Sequence, residues 1–265
     1  MESIPPIRFS RREWGLVLVV AAPLLYLMFV HGAPVPQDPA FHILADTRTF
    51  WGLPHFANVV SNIGFLIVGA IGLIGCRRNP ATTAVRSWTA FFAGVMLVCL
   101  GSGYYHSDPT DATLVWDRLP MTVAFMGLFA ALLSEYFGPS WERRLLIPAL
   151  AVGIASVLLW KISGDLRVYL WVQLAPFLAI AYVIAVYPGR YTHRHYLLYG
   201  VGLYVLAKAA ELQDHGLLEF TAGAISGHSV KHLLAAAAPF CVYLMLKRRA
   251  PLQPEVERRK SEVGS

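Results

Sequence analysis

Charge is scarce in this sequence. Asp, Glu, Lys and Arg make up 14% of its 265 residues against 56% hydrophobic ones, whereas a soluble domain carries about a quarter charged. That shortage excludes an ordinary soluble fold and points to a membrane protein. Cysteine is scarcer still. Cys76, Cys99 and Cys241 are odd in number, lie in or beside apolar runs and form no C-x-x-C, which excludes a disulfide framework and a thiolate metal site; they read as packing residues. The apolar segments also lack the alternation of barrel strands. Because unpaired backbone groups are prohibitive in lipid, they must cross as helices. The formal charge of +6 does not imply nucleic acid, since the basic residues form short clusters between apolar segments, a pattern of topology and not of a phosphate-binding surface.

What the chain does have is eight apolar stretches, near 14–30, 56–75, 88–106, 118–137, 144–160, 168–187, 195–212 and 228–246. Each is long enough, or nearly so, for a hydrocarbon core that takes roughly 20 helical residues to cross. Short loops rich in Pro, Gly, Asp and Arg join them, with no internal repeat. The expected fold is an all-α polytopic bundle forming one domain over 14–246, after a cytoplasmic segment 1–13 and before a charged, disordered tail over 247–265.

Orientation follows from the loops. One set carries Arg8, Arg11, Arg12, Arg77, Arg78, Arg86, Arg143, Arg144, Arg190, Arg194, Lys247, Arg248, Arg249, Arg258, Arg259 and Lys260; the alternate set carries Arg48, Lys161 and Arg167. Sixteen against three, alternating without a break, places both termini in the cytoplasm. The first stretch has the basic start of a signal peptide, but "FVHGAPVPQ" lacks an A-x-A site, so it reads as a retained helix.

On this topology "GSGYYHSDPTDATLVWDRL" (101–119) lies at an outer boundary. The third helix ends at His106, the fourth begins at Asp117, and the last starts from the same side with "GHSVKHLLAAAAPF". His106, His228 and His232 therefore share one level. His228 and His232 are i and i+4, on one helix face, and can reach a single ion; His106 supplies a third nitrogen. Three protein ligands with a fourth position for water is the arrangement of catalytic zinc. Ser102 lies one turn before His106 on the same face, and Asp117 can hydrogen-bond a ligand or the metal's water. Against this stands the plainer reading, in which interfacial histidines only snorkel or cap.

These residues resemble a known family. The pattern S-x3-H, then D eleven residues on, then a late H-x3-H at the start of the last helix, is similar to the alkaline ceramidases of the CREST superfamily of membrane hydrolases and receptors. "FANVVSNIGFLIVG", with Asn58, Ser61 and Asn62, resembles the family's first motif. The likeness covers about residues 50–247. It implies a seven-helix core, to which the helix at 14–30 would be an addition, and zinc on His106, His228 and His232. It further implies Asp117 beside the zinc water and Ser102 in the catalytic centre. The eukaryotic members bind calcium through an acidic cluster before the first core helix. Here that segment offers Asp46 and few other acids, with His55 where an acid would be expected, so calcium is doubtful.

In the seventh helix Lys208, Glu211 and Asp214 are spaced three apart. Unpaired charges at mid-membrane cost roughly 2.5–3.5 kcal/mol on insertion scales, so a structural Lys208–Glu211 pair is expected. The sharper option makes Glu211 or Asp214, with Asn58, Ser61 and Asn62, a support of the zinc histidines. Glu135 is expected to snorkel, Lys231 to face away from the metal, and Trp51, Trp88, Trp116 and Trp141 to form interfacial belts. The run Ala235–Ala238 should let the last helix pack closely. The reading is a zinc-dependent membrane amidase that cleaves ceramide or a related N-acyl lipid drawn from the bilayer, with the site near the outer face. Two alternatives stand beside it: a receptor-like or lipid-binding CREST protein with little turnover, and a haem-binding redox protein. A proton-coupled transporter fits less well, because the ionisable groups gather at one face.

Overall fold

Every long apolar run forms a helix in the computed structural model, which describes residues 9–78 and 83–252. The expected N-terminal segment as far as Arg8, and the tail beyond Leu252, lie outside the described residues. The helices are α1 (Arg11–Leu25, continued by a π-helical stretch Tyr26–His31), α2 (Phe56–Val60), α3 (Ile63–Arg78), α4 (Val85–Ser107) and α5 (Asp111–Phe137). They continue with α6 (Pro139–Ser163), α7 (Arg167–Val186), α8 (Tyr196–Leu212), α9 (Asp214–Phe220) and α10 (Gly227–Arg248). Among the described residues, seven spans are long and apolar enough to cross a membrane: α1 with its extension, α2 with α3, α4, α5, α6, α7 and α10. The eighth expected span is α8, whose 17 residues reach the lower end of the roughly 17–25 a crossing takes.

Helices α3, α4, α5, α6, α7, α8 and α10 close a ring in which each packs on the next and α10 returns to α3. Helix α1 lies outside this ring against α7. There Trp171 Nε1 donates to the Val20 carbonyl at 2.7 Å and Tyr182 Oη to the Arg12 carbonyl at 2.8 Å. The seven-helix core with one added N-terminal helix is therefore present. Helix contact in the ring depends on small residues, which let backbones approach. A Cβ added to Gly101 would lie 2.0 Å from the Trp116 carbonyl oxygen, so glycine is what lets the C-terminal half of α4 touch α5. Gly227 does the same between α10 and α8, its added Cβ falling 2.2 Å from the Ala210 carbonyl oxygen. Ala236 and Ala238 of the alanine run face Gly64 and Gly200, as the sequence led one to expect.

Several expectations need correction. The span at 56–75 is not one helix: it breaks at Ser61–Asn62, where Ser61 Oγ donates to the Asn58 carbonyl at 3.0 Å and Asn62 Nδ2 to the same carbonyl at 2.8 Å. Side chains that bond nearby carbonyls compete with the helical ladder. Helix α5 begins at Asp111, with Thr110 closing a capping box on Thr113, so Asp117 sits in its second turn and not at its start. Helix α8 ends at Leu212 and Asp214 opens α9, so Lys208, Glu211 and Asp214 do not share one helix. Glu135 does not snorkel. It is buried, paired with Arg249 at 2.6 Å and accepting from Trp88 Nε1 at 2.8 Å. Trp88 is fully buried by that bond and belongs to no belt, whereas Trp51 and Trp116 are exposed.

Candidate metal centre

The last turn of α4 and the first turns of α10 meet at one end of the ring. Ser226 caps α10, its Oγ accepting from Ser229 N at 3.2 Å, which starts the helix just before His228 and puts His232 one turn deeper. His106, His228 and His232 are all buried and can hold a metal ion together. The Nε2 atoms of His228 and His232 each lie 3.2 Å from His106 Nε2.

Protonation states follow from the neighbours. Ser61 Oγ uses its proton on the Asn58 carbonyl, so toward His232 Nδ1, at 2.8 Å, it acts as acceptor. His232 then carries its proton on Nδ1 and turns a bare Nε2 to the cluster. Lys231 Nζ lies 2.7 Å from His228 Nε2. An ammonium only donates, so this Nε2 carries no proton and its lone pair accepts from Lys231, which a metal ion bound there would displace. His106 Nδ1 is buried without a partner, and no neighbour fixes its tautomer. Two bare imidazole nitrogens aimed at a third are poor company for one another but good company for a cation. With metal–nitrogen bonds of about 2.0–2.1 Å, tetrahedral ligation separates two nitrogens by about 3.3–3.4 Å, close to the spacing here. The three histidines fit a metal ion. They leave no slot for a porphyrin between opposed imidazoles, as the haem reading would need.

The supporting residues divide into two groups. Ser61 touches an imidazole directly, whereas Asn58, Asn62 and Asp214 act on backbone and helix starts. Asn58 Oδ1 accepts from Ser229 Oγ at 2.8 Å and Ser226 Oγ at 3.2 Å, tying α2 to the first turn of α10. Asn62 braces Asn58 through its carbonyl. Asp214 takes His228 N at 2.7 Å through Oδ1 and Ala45 N at 2.9 Å through Oδ2. It therefore fixes where α10 begins, not how a ring is turned. Glu211 pairs with Lys208, as expected, and also with Lys231 at 3.0 Å. Lys231 thus faces the histidines, contrary to expectation. Three residues along a helix is 300°, only about 60° short of a full turn, so it lies beside His228.

Ser102 of α4 and Asp117 of α5 stand near enough for the hydroxyl to act on the carboxylate. Both, with His232, line a cavity of about 440 Å³ that runs from the loop at Val35–Phe41 down to Ile180, Leu197 and Val242. Its lower walls are apolar, among them Phe125, Leu128 and Phe177. A polar cluster above an apolar well suits a ligand with a reactive head and a long hydrocarbon tail. Asp46, in the acid-poor segment where the eukaryotic members' calcium cluster would be expected, is bound to Arg48 at 2.5 Å. That guanidinium holds its carboxyl below the ordinary range. Arg118, one residue after Asp117, also lines the cavity; sequence reasoning passed over it because its partners lie in distant segments.

The family model described as Ceramidase matches residues 53–249, a span that takes in every histidine, serine and carboxylate of the cluster. No curated protein matches the chain.

Proposed function

The chain belongs to the ceramidase family, and from that premise we propose that it is a zinc-dependent membrane amidase that hydrolyses ceramide or a related N-acyl lipid to a fatty acid and a free amine lipid. The observation that carries this reading is the buried cluster of His106, His228 and His232, whose member His232 lines one largely apolar cavity together with Ser102 and Asp117.

His106, His228 and His232 would hold the ion. A zinc ion bound by three nitrogens supplies a Lewis acid and a water of lowered pKa. The protein's own groups do the rest. Asp117 takes a proton from the attacking water and passes it to the leaving nitrogen. Ser102 has a single proton, which in this reading it donates to the Asp117 carboxylate in the resting site. Once Asp117 is protonated it becomes a donor, and the Ser102 O–H is free to turn to the oxygen of the scissile carbonyl as negative charge develops there. Proton transfer and oxyanion stabilisation are thereby linked. The acyl chain occupies the well lined by Phe125, Leu128 and Phe177, which excludes water from the reacting carbonyl.

The loops support placing this site near the extracytoplasmic face. Arg77, Arg78, Arg86, Arg143, Arg144, Arg190, Arg194 and Lys247 all cluster at helix ends and connections away from the histidines. The test is hydrolysis of a panel of ceramides and other N-acyl lipids by detergent-purified protein, with products identified by mass spectrometry. Ser102→Ala is expected to slow cleavage roughly 10²–10³-fold, the loss typical of one oxyanion donor, while metal content is unchanged. Wild-type rates in Ser102→Ala would remove the hydroxyl from the mechanism.

A further inference from the structure

Arg118 is buried, with 5% of its surface exposed, and among the described residues it has no ion-pair partner. Its guanidinium lies over the rings of Trp160 at 4.0 Å and Tyr169 at 4.6 Å, with Phe41 at 5.9 Å. Nη2 donates to Gln37 Oε1, and Nη1 is buried without any hydrogen-bond partner. Stacking attracts the charge through the flat faces of the group, but guanidinium protons lie in the plane and need acceptors there. A buried charge that has been stripped of water without an in-plane partner is costly.

Among the described residues, none of the other charges of the cavity forms an ion pair with it. Three cations and three carboxylates line the walls. Glu211 is shared by Lys208 and Lys231, Asp117 is engaged with Ser102, and Asp38 accepts from Ala40 N in its own turn at the mouth. Among the described residues, Arg118 is the one cation of the three with a buried nitrogen that has no hydrogen-bond partner. A ligand in the cavity can supply that acceptor, and an ionised oxygen answers a buried guanidinium about twice as strongly as a neutral one.

We propose that Arg118 is a headgroup-specificity residue that binds an oxyanion at the polar end of a long-chain lipid, with Gln37 steadying the guanidinium and Trp160 and Tyr169 holding its plane. The substrate favoured by this site is an N-acyl lipid with an acidic group, such as a phosphate monoester, on its head. The same chemistry is offered by the carboxylate of the released fatty acid. The substrate half of this inference rests on the amidase reading; the binding half does not require turnover.

The test is lipid affinity of the full chain in neutral detergent, measured on two matched pairs. One is an N-acyl amino alcohol and its phosphate monoester with identical chains; the other is hexadecanoic acid and hexadecanol. Wild-type protein is expected to prefer the anionic member of at least one pair by about tenfold to a hundredfold, the range of a hydrogen bond to a charged group. In Arg118→Gln that ratio is expected to fall to about one, and in Arg118→Lys to an intermediate value. Arg118→Met keeps the apolar stem between the rings and serves if the glutamine variant does not fold. A preference in the first pair assigns the oxyanion to the intact lipid's head; a preference in the second alone assigns it to the product. Equal affinities within both pairs, or a preference that survives loss of the guanidinium, would overturn the proposal. Anionic preference without amide cleavage would sink the amidase reading and leave this site standing, and cleavage without preference would do the reverse.

Discussion

His232 shows how much a single neighbour decides. Ser61 spends its proton on the Asn58 carbonyl and so must accept from His232 Nδ1, leaving Nε2 bare where His106 Nε2 stands 3.2 Å away. With His106 and His228, this makes the cluster a place for a cation, and each histidine should be indispensable. His106→Ala, His228→Ala and His232→Ala are each expected to lose most of the roughly one zinc per chain expected of a three-histidine site. Asp117→Ala is expected to keep the metal and lose turnover, because the carboxylate is not one of the three clustered ligands and its proposed role is proton transfer. Metal analysis of the purified variants checks both halves, and full zinc occupancy in all three histidine variants would remove them as ligands. These residues were legible because their types and levels were: i,i+4 spacing and a shared loop boundary need no tertiary knowledge. Lys231 was misjudged although the same helical arithmetic places it beside His228, and Arg118 escaped notice because Gln37, Trp160 and Tyr169 come from three separate segments.

Among the elements, the interruption between α2 and α3 matters most. A continuous apolar run predicts one helix over 56–75, yet Ser61 and Asn62 turn their side chains onto carbonyls of the preceding turn and break it. Hydropathy cannot reveal such a break, since Ser and Asn are tolerated in spanning helices wherever a partner satisfies them. The break delivers Ser61 to His232 and Asn58 to the cap of α10. Ser61→Ala is accordingly expected to weaken metal affinity by about 10–100-fold, the usual loss when an outer partner of a ligating histidine is removed, with the fold retained. Titration with a competing chelator measures it; unchanged affinity would reduce the break to a local irregularity. Glu135 was misread for a related reason. Its partner Arg249 lies more than a hundred residues along the chain and meets it at 2.6 Å only after the ring has closed.

For the whole molecule, the ring of seven helices with α1 outside it was readable from hydropathy and from the resemblance, because both report periodicity and order. The cavity was not, since its walls are drawn from most of the helices at once. Orientation is an independent expectation from the loops: a reporter fused after Ser265 should be cytoplasmic, and one inserted near Thr110 extracytoplasmic. A cytoplasmic signal at Thr110 would put the histidine cluster on the opposite face. The most direct measurement is amide cleavage of N-acyl lipids by folded, zinc-loaded protein, followed by mass spectrometry before and after a chelator. The expected result is a free fatty acid and an amine-bearing lipid, lost on chelation, regained with zinc and absent in Asp117→Ala. Zinc-loaded protein that cleaves no member of the panel, or cleavage indifferent to the chelator, would contradict a zinc-dependent amidase.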